Sequence, residues 1–125
     1  MPARVADASV IAAAAFDEPE SDRALSLLQG ADLYEPPLLH YELASIARKK
    51  ILRDPAQTVY YERGLENALA IELRWVEMDQ AAVLKLALWT GLTTYEASYL
   101  YVARAIGAPL VTFDEQLSRV SRSVT

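Results

Sequence analysis

Four carboxylates stand at positions that packing alone does not explain well. Asp7 ends the short apolar segment Arg4–Asp7, and Asp114 follows the segment Pro109–Phe113. Both segments have the pattern of strands, and ligand sites of open parallel sheets lie at the carboxyl ends of strands. Asp is also a good helix N-cap, and this alternative stays open for Asp114. For the helix after the first strand, Ser9 is the better-placed cap, so capping accounts less well for Asp7.

Glu42 and Glu96 fall within predicted helices. The helical neighbours of Glu42 are all apolar or small, namely Leu38, Leu39, Ser45 and Ile46. Its carboxylate therefore points along a buried stripe, where a charge needs an ion pair or a metal. Glu96 has a local explanation as well, because Thr93 and Glu96 match a capping box. One carboxylate cannot fully serve a cap and a metal at the same time.

Clustered carboxylates suit hard cations. Mg²⁺ and Mn²⁺ prefer oxygen ligands in octahedral geometry. Carboxylates cannot lie close together while charged unless a cation or protons neutralise them. A bound cation can also orient an attacking water, lower its pKa and stabilise charge on a phosphate. The four acids are therefore candidates for a divalent-cation site, and phosphate chemistry is one kind of reaction that such a site can support.

Composition excludes several other kinds of site. The chain of 125 residues has no cysteine, which excludes disulfides, zinc–thiolate sites and cysteine nucleophiles, and it has one histidine, His40. The formal charge of −5 is unlike that of a simple nucleic-acid coat protein, although local basic patches can still contact phosphates. No signal peptide or bilayer-spanning run is visible. We expect a soluble, cytoplasmic protein without membrane association.

Strand and helix patterns alternate along the whole chain. Strands are predicted at Arg4–Asp7, Ala31–Glu35, Leu73–Val76 and Pro109–Phe113. Helices are predicted through Ile11–Phe16, from Pro19 to Gly30, from Pro36 to Leu52, from Asp54 to Ile71, from Asp79 to Trp89, from Thr93 or Thr94 to Ile106, and from Asp114 onward. This alternation predicts a parallel α/β sheet with helices on both faces, in a single domain spanning residues 1–125.

Four segments together resemble a known family. They are Val5–Val10 (VADASV), Tyr41–Ala44 (YELA), Leu92–Ala97 (LTTYEA) and Pro109–Asp114 (PLVTFD). In this order, with the αβ pattern between them, they resemble PIN-domain proteins, especially the VapC-type toxins of prokaryotic toxin–antitoxin pairs. The resemblance covers nearly the whole chain. It implies a PIN-like three-layer α/β/α sandwich with a small central parallel sheet.

The resemblance also implies an activity. It implies a metal-dependent endoribonuclease, the toxin of a type II toxin–antitoxin pair, which hydrolyses RNA phosphodiester bonds with Mg²⁺ or Mn²⁺. The implied partners are the RNA substrate, a cognate antitoxin protein and a second copy of the chain in a homodimer. By resemblance, the catalytic residues are Asp7, Glu42, Glu96 and Asp114, the metal ligands are Asp7, Glu96 and Asp114, and the supporting hydroxyls are Ser9 and Thr112.

The sequence departs from the family pattern at two places. The third acidic position is usually Asp, whereas this chain has Glu96, whose side chain is one methylene longer. Metal sites tolerate little displacement of a ligand, so we expect reduced activity or an altered choice of metal if Glu96 is a ligand. Many relatives also carry a further strand near the C-terminus, for which Val120–Thr125 is barely long enough.

Basic residues are candidates for contacts with RNA. Arg48, Lys49, Lys50 and Arg53 form the most basic cluster and could bind phosphates, with Arg48, Lys49 and Arg53 as the candidates for RNA binding. The alternative is that they complement the dipole at the end of a helix. Arg104, Arg119 and Arg122 are interpreted as scattered surface charges.

Two other functions stay open. One is a catalytically weak or inactive PIN-like module that dimerises and binds a protein partner, an interpretation motivated by Glu96 and the acidic net charge. The other is a phospho-receiver-like domain. It is less favoured, because the expected acidic pair at the first strand and the lysine after a late strand are missing.

Overall fold

A computed structural model describes residues 1–124 and forms four strands and seven helices within them. The strands are β1 (Ala3–Ala6), β2 (Asp32–Glu35), β3 (Arg74–Trp75) and β4 (Leu110–Val111). The helices are α1 (Ala8–Ala15), α2 (Ser21–Leu28), α3 (Leu38–Arg53), α4 (Thr58–Leu69), α5 (Gln80–Thr90), α6 (Thr94–Ile106) and α7 (Glu115–Ser123), with a 3-10 turn at Pro55–Gln57 before α4. The predicted alternation of strands and helices is confirmed.

The sheet is parallel throughout, with strand order β3-β2-β1-β4. Ala3 of β1 lies opposite Asp32 of β2, and Val5 of β1 lies opposite Leu110 of β4. Because β1 and β4 are parallel neighbours, the residues that follow them emerge side by side at the same edge. This brings the segment that begins at Asp7 next to the segment that begins at Thr112.

Two groups of helices cover the sheet. Helices α1 to α4 pack on one another, while α5 packs on α6, and α6 also contacts β1, β2 and β4. The larger core joins β1, α1 and α3 through fully buried apolar side chains such as Val5, Ile11 and Leu43. A smaller core joins α5, α6 and α7 and includes Val83 and Leu117. Within residues 1–124, none of the helices has the length and apolar character needed to cross a membrane.

Most predicted helix ends are confirmed because their signals are local. Asp79 caps α5 by accepting a hydrogen bond from the backbone N–H of Ala82. Gly91 and Gly107 end α5 and α6 with φ angles of 77° and 67°, a left-handed conformation that glycine adopts without a steric penalty. These caps fix where α5 and α6 begin and end.

The predicted cap of α1 was wrong. Asp7, not Ser9, caps α1, because Asp7 has the extended backbone of an N-cap while Ser9 already lies in the first helical turn. The predicted last helix after Asp114 is confirmed and continues to Ser123, so the further strand of many relatives is not formed in the part that the structure describes, and Thr125 lies outside that part. The apolar positions Val120 and Val124 pack against the smaller core instead of a sheet edge.

Candidate active site

The four predicted acids line a single pocket of about 240 Å³. Asp7 follows β1, Glu42 lies in α3, Glu96 lies in the first turn of α6, and Asp114 precedes α7. The wall of the pocket also includes Ala8, Ser9, Ile46, Tyr99 and Leu117. Four separate parts of the fold therefore deliver one carboxylate each to the same place.

Hydrogen bonds hold the Asp7 carboxylate on both sides. Its Oδ1 accepts from the backbone N–H of Ser9 at 3.1 Å and from the Ser9 hydroxyl at 2.6 Å. Its Oδ2 accepts from the Thr112 hydroxyl at 2.6 Å. Burial raises the pKa of Asp7 above its ordinary value, while these hydrogen bonds act in the opposite direction. Asp7 is thus at once the N-cap of α1 and a fixed, poorly solvated acid of the pocket.

The same two hydroxyls also hold the connection between β4 and α7. The Ser9 Oγ accepts a hydrogen bond from Phe113 N at 3.1 Å, and the Thr112 Oγ1 accepts one from Asp114 N at 3.0 Å. Each hydroxyl therefore donates to Asp7 and accepts from the backbone next to Asp114. This places Ser9 and Thr112 where they couple the positions of two pocket acids.

Glu42 is half-buried and accepts a hydrogen bond from the hydroxyl of Tyr99. Burial raises the pKa of Glu42, the Tyr99 hydrogen bond opposes this, and the charges of Asp7 and Glu96 raise the pKa further. The structure records no ion pair for Glu42 within residues 1–124. The alternative of a buried ion pair at Glu42 is therefore not the arrangement that the fold adopts.

Glu96 and Asp114 both hold helix N-termini. Glu96 Oε1 accepts from Thr93 N at 2.9 Å, and Thr93 Oγ1 accepts from Glu96 N at 3.0 Å, which completes the predicted capping box. Asp114 Oδ1 accepts from Leu117 N at 2.7 Å. Both local capping alternatives are therefore realised, and both residues line the acidic pocket as well.

The donor set of the pocket fits a hard divalent cation. All four charged side chains on its wall are carboxylates, and burial disfavours the charged forms of Asp7 and Glu42, which a cation would compensate. As the side chains stand, residues 1–124 contain no cluster of three His, Cys, Asp or Glu residues close enough to hold a metal. Cation binding therefore requires a side chain to turn. Glu96 and Asp114 each accept a hydrogen bond from the backbone N–H group that they cap, and they would lose this bond on turning towards a cation.

Sequence patterns alone did not mark Glu35, the last residue of β2. Its side chain is 0 % exposed, its Oε2 accepts from Ala6 N at 2.9 Å, and its Oε1 has no hydrogen-bond partner within residues 1–124. Burial raises its pKa to about 9, and the charge of Asp7 adds to the shift. Glu35 is therefore protonated at neutral pH. Strand alternation was the available signal, because Glu35 lies two residues after the buried Leu33.

Tyr99 is the second residue that sequence patterns did not assign to the site. It lies three positions after Glu96 in α6, so the two side chains share a helical face. Its ring is buried in the larger core, and a buried phenol usually needs a hydrogen-bond partner, which here is Glu42. Burial, followed by the charge of Glu42, raises the pKa of Tyr99. The hydroxyl therefore stays protonated and donates to Glu42.

The predicted RNA-binding cluster lies outside the acidic pocket. Arg48, Lys49 and Arg53 are exposed on the second half of α3. Lys49 and Arg53 come seven and eleven positions after Glu42, so they continue the same helical face. Their part in binding RNA stays a prediction.

Known proteins resemble this chain in sequence and in fold. A family model described as PIN domain matches residues 4–123. The chain is 35 % identical over 123 residues to Ribonuclease VapC3 of Pyrobaculum aerophilum. This match covers 91 % of this chain and 91 % of the relative. The crystal structure of PAE2754 from Pyrobaculum aerophilum superimposes with a TM-score of 0.77 at 27 % identity, over 95 % of this chain and 84 % of that one. The chain therefore belongs to the PIN-domain family, among its VapC-type members.

Proposed function

We propose that this protein is a metal-dependent endoribonuclease, the toxin of a type II toxin–antitoxin pair. The observation that carries the proposal is the single pocket in which Asp7, Glu42, Glu96 and Asp114 meet. The relative named Ribonuclease VapC3 supports RNA as the substrate. The reaction is hydrolysis of a phosphodiester bond, and we place it in the cytoplasm.

The proposed cofactor is Mg²⁺ or Mn²⁺. Asp7, Glu96 and Asp114 would hold it, Asp7 in its present orientation and the other two after leaving their capping positions. The ion supplies charge stabilisation on the phosphate and lowers the pKa of a water molecule. Ser9 and Thr112 keep the Asp7 carboxylate in one orientation, so that little rearrangement of this ligand accompanies binding.

Glu42 is the proposed general base. A base needs a pKa close to the working pH, and burial together with neighbouring acids moves the pKa of Glu42 upward in that direction. The hydroxyl of Tyr99 occupies Oε1 of Glu42 and orients the carboxylate. The remaining oxygen is then available to take a proton from the attacking water.

Cleavage of an RNA panel with Mg²⁺ or Mn²⁺ tests the proposal, comparing the wild type with Asp7→Asn. Asn keeps an oxygen for the α1 cap but lacks the charge, so we expect cleavage to fall at least a hundredfold while the fold is retained. Asp79→Asn is the matched control, because Asp79 caps α5 outside the pocket. If the wild type neither cleaves RNA nor binds either metal, the inactive binding module is the better description.

Two protein partners complete the proposal. A cognate antitoxin is the partner implied by membership among VapC-type proteins, and co-expression with the neighbouring gene product should relieve growth arrest caused by the toxin. A homodimer is proposed through the outer face of α5, where Leu84, Leu88 and Trp89 are exposed. Large apolar side chains grouped on one helical face are typical of association surfaces.

A further inference from the structure

A second pocket, of about 430 Å³, adjoins the acidic one and is lined by more basic than acidic side chains. The two pockets share Asp114, and the second is also lined by Arg23, Arg119 and Arg122. These arginines come from two helices that are far apart in sequence, α2 and α7. In a chain with a net charge of −5, three arginines around one opening next to an anionic pocket form a local positive surface. We call these three residues the arginine surface.

Helix α7 builds most of this surface by its periodicity. The residues of α7 that line the second pocket are Glu115, Ser118, Arg119 and Arg122, whose spacing of three and four puts them on one helical face. Leu117, on the other face, is buried against the smaller core and holds the helix in place. Since α7 starts next to Asp114, Arg119 and Arg122 lie about 8 Å and about 12 Å further along its axis. The positive face therefore leads away from the acidic pocket.

Arg23 reaches the same opening from α2. Its guanidinium lies 5.0 Å from the centroid of the Phe113 ring, a cation–π distance that orients it towards the connection between β4 and α7. It also pairs with Glu20 at 3.3 Å, but the two side chains are 68 % and 53 % exposed. An exposed pair of this kind contributes little to stability, so a phosphate can displace Glu20.

Arg119 is exposed and forms no ion pair or hydrogen bond within residues 1–124. Glu115 is the one side chain on the α7 face of this pocket that opposes an anion. A guanidinium donates two parallel hydrogen bonds to a phosphate, which makes arginine well suited to nucleic-acid backbones.

We propose that the arginine surface binds backbone phosphates of single-stranded RNA on one side of the cleaved bond. This rests on the proposed function, because it takes the acidic pocket as the place of cleavage. The strand runs from the acidic pocket past Asp114 and along α7, with Arg23 on the opposite wall. The surface holds the strand in register so that one phosphodiester faces the acids, and it reads no base. The arginines interpreted from sequence as scattered charges are thus partly gathered by the fold. Arg119 and Arg122 lie in the pocket beside the acids, and Arg122 also lines a further pocket together with Arg104.

The test measures binding of a fluorescent twelve-nucleotide RNA by anisotropy, in EDTA so that no cleavage occurs, over a series of salt concentrations. For the double variant Arg23→Gln/Arg119→Gln we expect an affinity at least tenfold weaker at low salt. The slope of log K against log salt should fall in magnitude by about 0.7 for each phosphate that the variant no longer neutralises. Glu115→Gln should strengthen binding.

Matched controls test whether the loss of affinity depends on where the charges are removed or only on how many are removed. Arg63→Gln removes an exposed charge from α4, and Arg63→Gln/Lys85→Gln removes the same total charge as the double variant from α4 and α5. The proposal expects a smaller effect from either control than from the double variant. An equal effect of the Arg63→Gln/Lys85→Gln control on affinity and slope would overturn it. The affinity for a dinucleotide should be the same in the wild type and the double variant. If the double variant lost as much affinity for the dinucleotide as for the twelve-nucleotide RNA, the arginines would form a site for free phosphate groups instead.

Failure of this proposal is distinguishable from failure of the proposed function. If the wild type binds and cleaves RNA and the double variant binds equally well, the arginine surface is wrong and the ribonuclease stands. If the protein binds RNA through the arginines but cleaves none with any divalent metal, the proposed ribonuclease activity is wrong and the proposed role of the arginine surface is retained. If the wild type binds no RNA at all, both are overturned.

Discussion

At the scale of single residues, Asp7 and Glu35 show two ways of keeping a carboxyl group out of water. Asp7 accepts hydrogen bonds at both oxygens, which favour its charged form although burial raises its pKa. Glu35 accepts one hydrogen bond, from Ala6, and its other oxygen has no partner within residues 1–124. The first arrangement favours a charged carboxylate that could bind a cation, and the second favours a protonated acid.

Glu35 makes stability depend on pH. Its folded-state pKa of about 9 lies above the ordinary value of 4.5, so the stability linked to its protonation is complete below pH 4.5 and is lost as the pH rises through 9. Glu35→Gln imitates the protonated form. We expect this variant to be more stable than the wild type at pH 8. Between pH 4.5 and pH 9, ionisation of Glu35 should cost the wild type at most about 1.4 kcal/mol of unfolding free energy per pH unit, and the variant should not show this loss.

Urea unfolding from pH 5 to pH 9, in EDTA, measures this dependence. Glu66→Gln is the control, because Glu66 is an exposed glutamate of α4 whose replacement should leave the profile unchanged. Parallel profiles for the wild type and Glu35→Gln would show that Glu35 is not protonated in the folded protein.

At the scale of elements, the beginnings of three helices converge on the acidic pocket. Asp7, Thr93 with Glu96, and Asp114 cap α1, α6 and α7 respectively. A helix N-terminus carries a partial positive charge, which favours nearby anions. The fold therefore tolerates several carboxylates in one pocket because helix N-termini partly compensate their charges. In this arrangement the capping role of Glu96 and Asp114 would compete with the ligand role that we propose for them.

Glu96→Gln separates the two roles of Glu96. Gln also completes a capping box, so we expect the free energy of unfolding to change by less than about 0.5 kcal/mol. The charge is lost, so Mn²⁺ affinity and RNA cleavage should both fall about tenfold or more. Calorimetric titration with Mn²⁺ and urea unfolding measure the two effects on the same sample.

Glu96→Asp and Glu96→Ala sharpen this comparison. Asp restores the residue usual in the family and should keep or raise activity. Ala removes the hydrogen bond that the Glu96 side chain accepts from Thr93 N and should lower stability by about 1 kcal/mol. Unchanged metal affinity and cleavage in Glu96→Gln would mean that Glu96 caps α6 and is not a ligand.

At the scale of the whole molecule, charge and apolar surface are distributed unevenly. The acidic pocket and the arginine surface adjoin one another around Asp114. The exposed apolar side chains of α5 belong to a different part of the chain, and Leu88 and Trp89 are 76 % and 65 % exposed there. The proposed sites of catalysis and of association are thus different surfaces, so a variant in one should leave the other intact.

Leu88→Glu tests the proposed homodimer. A charge on an apolar interface is costly to bury, so we expect sedimentation velocity to show a dimer for the wild type and a monomer for the variant. Leu25→Glu, an equally drastic change at an exposed leucine of α2, is the control and should leave the dimer intact. A monomeric wild type at micromolar concentration would contradict the proposal.

The sequence by itself determined the features that depend on near neighbours. The caps at Asp79 and Thr93 and the ends at Gly91 and Gly107 involve residues within four positions of one another, so local patterns predict them. The alternation of strands and helices, which sets the α/β class, is read from the periodicity of apolar residues in the same way. The order of four motif segments was enough to indicate the family, and with it the four acids.

Tertiary structure decided what those acids touch. Thr112 donates a hydrogen bond to Asp7, which is 105 positions away in the sequence, and Tyr99 donates one to Glu42, which is 57 positions away. No local sequence pattern indicates such pairs. Burial of Glu35 and the gathering of Arg23 with Arg119 also arise only when distant segments pack together. Desolvation and charge–charge interactions depend on distance in space, so the pKa of each acid and the competition between cap and ligand at Glu96 are properties of the folded chain.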